Sequence, residues 1–360
     1  MKMKQNQRLG LTGLCFLFVL LFMTNCGTKE MESTDPYQFQ EEEFEAVPDV
    51  PDVADPEPEV VEPEIGDVVT SPGTSAVIDE LGNVNGESDI DAETKSNLED
   101  ILEFSNGLSA NFKSKAENLS ESDIDAIFDP ANELSNDYSE VLSALENVSP
   151  ELLGLLPKIN YTDDYEAMNT EIAFPEEGQL RVTVPEEATQ RTNNVYGPCT
   201  AAALKAYDKK IEKLKKQRDK AMEKAQKNYE RRLDEAEDRF ESRSDMLDEK
   251  YHEKLATVKI TVLALYGVAD QVSSFSPELG AVLKYFTIIY GVYARQQVDA
   301  WYNEGKLLLK YKFTEEKLAA LEARDKCIEE ILIEYDKCVD KANEVLKDAL
   351  AACHDQGAGN

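Results

Sequence analysis

The side chains that could carry out chemistry are few, because the chain has six cysteines and two histidines among 360 residues. A zinc site would need a set of donors such as Cys199, Cys353, His354 and Asp355. These residues lack the CxxC-type spacing of zinc sites, so we favour a disulfide between the two cysteines. The sequence has no glycine-rich phosphate loop, no Gly-x-Ser-x-Gly elbow and no His-Glu-x-x-His pair. We predict that the protein is not an enzyme and uses no cofactor or metal.

The first 26 residues have the pattern of an export signal. A basic start precedes an apolar run over 11–23, which is too short to span a bilayer as a stable helix. Cys26 follows this run directly, and the segment resembles the lipobox of bacterial lipoproteins in its looser Bacteroidota form, with Asn25 where a small residue is usual. The resemblance implies a signal peptide over 1–25 and fatty acyl chains, such as palmitate, on Cys26. It also implies attachment to the outer membrane, on its periplasmic side or at the cell surface.

Acidic residues are concentrated in the N-terminal half of the chain. The formal net charge is −34, and residues 27–199 carry 42 acidic against 7 basic side chains, whereas residues 200–360 carry 30 against 28. Such acidity argues against a nucleic-acid partner, which needs clustered basic groups. Segment 26–75 repeats proline and acid with few large hydrophobic residues. We therefore predict a disordered, extended tether that could hold the body about 100 Å from the lipid.

The next regions are expected to be less regular. Residues 76–157 should form short helices, with Ser-x-x-Asp helix starts at Ser88 and at Ser122. We expect an irregular linker over 158–199, with one short strand at 179–184, and a disordered tail over 354–360.

From residue 200 onward, apolar residues recur every eleven positions. One stripe comprises Ala203, Leu214, Ala225, Ala236, Leu247 and Val258, and a second comprises Leu309, Ala320, Ile331, Ala342 and Cys353. Eleven residues make almost three helical turns, so each stripe stays on one face of a long helix. The only strong break is Ser273–Pro277, where proline suits the first turn of a new helix. The sequence predicts an all-α fold dominated by a long antiparallel, two-helix coiled-coil hairpin with hendecad periodicity over 200–353.

The cysteines test this register. The midpoint between Cys199 and Cys353 is residue 276, inside the predicted turn, so an antiparallel hairpin brings both to its open end. Cys327 and Cys338 lie about 16 Å apart on one helix, opposite Ala225 and Leu214. We favour buried free thiols for them, with intermolecular bonding or a shifted clamp as alternatives. A helix break at 303–305, giving three helices, also stays open.

The end of the hairpin near the turn, over about 258–301, is apolar on most sides. We call it the tip, and its candidate contact residues are Leu263, Tyr266, Phe275, Phe286, Ile289 and Tyr290. Neither of its apolar runs reaches the roughly 20 residues of a membrane-spanning helix. Two helices cannot bury such a surface alone, so three covers are open: the chain's own N-terminal helices, a protein partner or second copy, or a lipid bilayer.

These features favour a lipid-anchored structural or interaction protein. It would be a helical spacer that presents its apolar head to a protein partner, or to another copy, with no nucleic acid and no small-molecule substrate. A long helical stalk with an apolar hairpin head also resembles, in architecture, the α-helical pore-forming toxins of the cytolysin A and haemolysin BL type. That resemblance implies a head that inserts into a target membrane. A regulatory or chaperone lipoprotein with an acidic arm for cationic partners is a third possibility.

Overall fold

The computed structural model describes residues 41–132, 134–135, 138–162 and 197–355. Cys26, the signal peptide, the strand expected at 179–184 and the tail after residue 355 lie outside the described residues. The described chain divides into two compact units. The first contains 41–55, 197–226 and 325–355, and the second contains 56–162 and 227–324.

The fold is mainly helical, as the sequence predicts. The short helices are α1 (Glu42–Glu45), α2 (Pro72–Leu81), α3 (Ala92–Asn106), α4 (Ala110–Glu117), α5 (Glu121–Phe128), α6 (Ser139–Leu145) and α7 (Pro150–Leu155). Two long helices follow, α8 (Pro198–Ser273) and α9 (Pro277–Asp355). Strands β1 (Asp67–Val69) and β2 (Lys158–Asn160) pair antiparallel, with Val68 opposite Ile159. Strand β2 was not expected, since it lies in the predicted irregular linker.

The two long helices confirm the predicted hairpin and its turn. Helix α9 begins at Pro277, and Leu214 and Ala225 of the apolar stripe are buried. In the first unit Ala225 packs with Cys327, and Leu214 packs with Cys338, which is the register that the eleven-residue repeat predicts.

The alternative of a break near residue 305 is wrong, because α9 is continuous there. Gly305 lies against Leu247 and Ile65, and a Cβ at this position would be 3.0 Å from the nearest side-chain atom of Leu247. The absence of a side chain at Gly305 therefore serves close packing rather than a helix break.

The short helices begin close to, but not at, the expected residues. Asp91 caps α3, its carboxylate accepting a hydrogen bond from the Thr94 N–H at 2.6 Å, whereas Ser88 lies in a short 3-10 turn. Ser120, not Ser122, caps α5 and forms a capping box with Asp123. Both starts differ from the prediction because neighbouring polar residues can satisfy the same free N–H groups.

The prediction of a disordered tether over 26–75 is wrong where the structure describes that segment. Residues 41–69, which we call the strap, lie against the long helices, and helix α2 already begins at Pro72. Four acids of the segment that we expected to extend into solvent, Asp49, Glu57, Glu62 and Asp67, are instead paired with basic side chains of α8. The physical reason is charge neutralisation by residues distant in sequence.

Candidate functional site

In the first unit, the strap covers the seam between the two long helices. Val50 packs with Leu214 and Cys338, and Val53 packs with Ala225 and Cys327. The two free cysteines are buried, as we favoured from the sequence, and burial raises the pKa of the Cys338 thiol. The strap is therefore part of what keeps both thiols from solvent.

Ion pairs fix the same part of the strap. The Lys210 ammonium lies 3.0 Å from one carboxylate oxygen of Asp49 and donates to the Val47 carbonyl at 2.6 Å, and Lys213 lies 2.9 Å from the other oxygen of Asp49. These hydrogen bonds, from Lys213 and then Lys210, hold the pKa of Asp49 well below its usual range. Lys210 is buried, so its charge depends on these strap oxygens for compensation.

In the second unit, the strap acids follow a regular spacing. Glu57 pairs with Arg232 at 2.9 Å, Glu62 pairs with Arg243 at 2.9 Å, and Asp67 pairs with Lys254. The acids are five residues apart and the bases are eleven apart. An extended chain rises about 3.3 Å per residue and a helix about 1.5 Å, so both intervals span about 16.5 Å. Hydrogen bonds from these arginines lower the pKa of the Glu57 and Glu62 carboxyl groups.

Arg243 joins the strap to both long helices. Its guanidinium is buried, donates to both carboxylate oxygens of Glu62 at 2.9 Å, and donates to Glu316 of α9 at 2.7 Å. The Arg243 pKa is raised, first by the hydrogen bonds to Glu62. Removing this side chain would take away the cation that Glu62 and Glu316 share, and Glu316 would still contact Arg239 at 2.8 Å.

The end of the strap is fixed by its backbone. The Trp301 indole N–H donates to the Gly66 carbonyl at 3.0 Å. Gly66 has a φ of +87°, a conformation that favours glycine, and a Cβ there would overlap the Asn160 carbonyl. Position 66 therefore requires glycine for the strap to pass into β1.

At the open end of the hairpin, Cys199 and Cys353 form a disulfide with an S–S distance of 2.02 Å and a Cα–Cα distance of 5.8 Å. This pairing is the one that the helix register predicts. The side chains of His354 and Asp355, the other imagined zinc donors, lie outside the described atoms. Among the described residues, no group of three or more His, Cys, Asp or Glu side chains is arranged to hold a metal ion.

The second unit covers most of the apolar tip with the chain's own short helices. Phe286, Ile289 and Tyr290 are fully buried in one core with residues of α2–α7, including Leu81, Ile101, Ile124 and Leu152. Leu263, Tyr266 and Phe275 are half-buried and pack against the same core. Of the three possible covers, the structure has the first, the chain's own short helices, over these residues. Burial raises the pKa of Tyr290 to about 12.

One face of α8 near the turn stays exposed. Ile260 has 68% of its surface exposed, and a Cβ at Gly267 would meet nothing within 4 Å. Helix α8 contains one segment that is apolar and long enough to cross a membrane by composition, of which 39% is buried. Core helices of other proteins pass the same test, so this finding is weak evidence for a membrane span.

A buried arginine, which sequence reasoning missed, fixes the loop after α5. Arg295 donates to the carbonyls of Ile127 at 2.9 Å, Asp129 at 3.0 Å and Asn132 at 3.3 Å. Its charge is balanced by Asp299 at 2.8 Å on the next turn of α9. The sequence shows only a charged residue at the end of an apolar run, which gives no sign of these carbonyl partners.

The strap was also missed, but one signal for it exists in the sequence. Lys210, Arg232, Arg243 and Lys254 fall on one eleven-residue stripe of α8. A stripe of bases beside the apolar seam would have indicated an acidic segment lying along it. Comparison with protein-family models, with curated proteins and with solved structures finds no match to this chain.

Proposed function

We propose that this chain is an exported, lipid-anchored structural or interaction protein of the outer membrane or cell surface. In this role Cys26 carries the acyl anchor, and the chain acts as a helical spacer that presents the head, the short-helix core of the second unit, to a protein partner. The chain would not be an enzyme. The proposal replaces the bare apolar tip with a folded head, because the tip residues Phe286, Ile289 and Tyr290 are buried.

The observation that supports the proposal is the position in the sequence at which the strap begins to pack on the long helices. Phe44, in α1, is 3% exposed, and its ring lies edge-on to Tyr207 of α8 at a centroid distance of 6.3 Å. Fifteen peptide units separate Cys26 from Glu41, and they can span at most about 50 Å. An acyl chain on Cys26 would therefore keep the first unit within that distance of a membrane, not at the end of a longer tether.

Metabolic labelling with an alkyne analogue of palmitate tests the anchor. In a bacterial host that processes lipoproteins, we expect the label to enter the wild-type chain and to be lost in Cys26→Ala. The matched control is Cys15→Ala, which removes a cysteine of the apolar run and should retain the label. Label that persists in Cys26→Ala, or is absent from the wild type, would contradict the proposal.

A membrane-acting protein is the second candidate, and the exposure of Ile260 within the apolar segment of α8 favours it. Dye release from liposomes tests this candidate with two variants. Ile260→Glu changes an exposed side chain and should abolish leakage without changing the melting temperature, if the segment inserts. Ile289→Glu places a charge in the core and should lower the melting temperature under either candidate. Absence of leakage by a cooperatively folded wild-type chain would remove the membrane-acting candidate.

A further inference from the structure

One face of α8 in the first unit carries a row of lysines. Lys209, Lys213, Lys216, Lys220 and Lys224 are spaced by four, three, four and four residues, and all five are exposed. This spacing keeps them on a single side of the helix. The row is about 22 Å long at 1.5 Å per residue. We call it the lysine row.

Three members of the row have no ion-pair partner within the described part of the chain: Lys209, Lys220 and Lys224. Lys213 pairs with Asp49 of the strap, and Lys216 pairs with Glu212 on the same helix. The Lys216–Glu212 pair is exposed, and exposed pairs contribute little free energy, so Lys216 can exchange its carboxylate for another anion, whereas Lys213 stays bound to the strap.

The row starts at an open cleft of about 640 Å³ where the strap begins. The cleft is lined by Glu41, Phe44, Glu45, Ala206, Lys209, Lys210, Glu212, Lys213 and Lys216. Glu41, Phe44 and Glu45, at the start of the strap, therefore lie beside the first lysines of the row. The three acids of the cleft, Glu41, Glu45 and Glu212, offset part of the charge there, whereas Lys220 and Lys224 lie outside the cleft.

We propose that the lysine row is a docking surface for the anionic phospholipid head groups of the membrane that carries the anchor. This inference rests on the proposed lipid anchor at Cys26. Acyl chains hold a protein at the membrane, and a basic patch nearby adds electrostatic attraction to anionic lipids. Each lysine near an anionic bilayer strengthens binding by about 1 kcal/mol, or about fivefold. Because the anchor keeps the first unit within about 50 Å of the bilayer, the head groups are always at high effective concentration.

The charge chemistry favours a lipid surface over a nucleic acid. Lysine is a flexible point charge that contacts phosphates without the forked geometry that arginine provides, and the row contains no arginine. Strap acids that line the cleft beside the row, Glu41 and Glu45, would repel an extended polyanion that passes this end of the row. A short, straight row of lysines can contact a flat bilayer surface when a separate acyl anchor holds the protein beside it.

The test uses the full chain as its host processes it, mixed with vesicles of phosphatidylcholine alone or with added phosphatidylglycerol. The acetylation rate of each lysine is read by mass spectrometry. We expect Lys220 and Lys224 to be acetylated at least about fivefold more slowly on the anionic vesicles, and this protection to disappear at high salt. Lys337 and Lys341 are exposed on α9 and pair with Glu334 and Glu344, so their rates should stay unchanged.

A pair of double variants completes the test. K220Q/K224Q should reduce the protection of Lys209 from acetylation on anionic vesicles, whereas K337Q/K341Q should leave this protection unchanged. Equal acetylation rates on both kinds of vesicle would overturn the proposal. Protection by duplex DNA but not by vesicles would overturn it in favour of a nucleic-acid surface. A separate measurement tests the anchor itself, because an unacylated chain would not float with neutral vesicles. Protection of the lysines by anionic vesicles could still be measured for such a chain.

Discussion

The strap and the head are held to the long helices by different forces. After α1 the strap has no further helix, and it packs single apolar side chains such as Val50 and Val53 on the seam. Four of its acids pair with Lys210, Arg232, Arg243 and Lys254. The head presents helices with apolar faces and buries Phe286, Ile289 and Tyr290 in a continuous core. The comparison teaches that a segment too polar to form its own core can still be ordered. Its acidic residues need only be spaced at the same distance as the basic residues along a neighbouring helix.

The largest effect should come from the core of the head. Phe286→Ala removes a fully buried ring and should lower the free energy of unfolding by about 3–5 kcal/mol. Chemical denaturation followed by circular dichroism measures this loss. The matched control is Ile260→Ala on the exposed face of α8, which should change the free energy by less than about 0.5 kcal/mol. A small loss for Phe286→Ala would mean that the short helices do not cover the tip in solution.

The disulfide should come next. It closes a separation of 154 residues, so Cys353→Ser should destabilise the chain by about 2–5 kcal/mol through the added freedom of the unfolded state. Thermal unfolding with and without a reductant measures the effect. The reductant should lower the melting temperature of the wild type and leave that of Cys353→Ser unchanged. A wild-type chain insensitive to reductant would contradict the disulfide.

Arg243 tests the junction of the strap with both helices. Arg243→Ala should cost about 1–2 kcal/mol, because Glu316, which is nearly buried, loses Arg243 at 2.7 Å and keeps only part of its compensation through Arg239 at 2.8 Å. We discount the pair with Glu62, since that carboxylate is mostly exposed. Arg231→Ala, at a more exposed pair with Glu57 and Glu235, is the control and should cost less than about 1 kcal/mol. Equal losses of unfolding free energy in both variants would show that the burial of Arg243 does not strengthen its ion pairs.

The smallest expected effect is the pH dependence of the contact between the strap and the long helices. The pKa of Asp49 is lowered in the folded chain, so its pairing stabilises the strap above the unfolded-state pKa and is lost as pH falls through the folded value. We therefore expect Cys327 and Cys338, which the strap covers, to react faster with dithiodipyridine only under strongly acidic conditions. At neutral pH, Asp49→Asn should raise the reaction rate of Cys338 several-fold, whereas Asp52→Asn should not. Unchanged thiol rates in Asp49→Asn would show that this ion pair does not hold the strap.

The eleven-residue stripes and Pro277 predicted most of the fold, down to the pairing of Cys199 with Cys353. Predictions for the rest failed for identifiable reasons. The composition of 26–75 suggested disorder because it shows the charges of the segment but not the bases that neutralise them. The sequence left the cover of the tip open among three possibilities because the covering helices are short and their apolar faces are weak signals in the sequence.

The sequence by itself determined the two long helices, their turn and their register, because helical periodicity and proline geometry are local properties of the chain. Only the tertiary structure decided where the strap lies and what covers the tip. The ion pairs of the strap join residues 161 to 187 positions apart. Contacts at such separations depend on how folded elements meet in space, so no short window of sequence contains them.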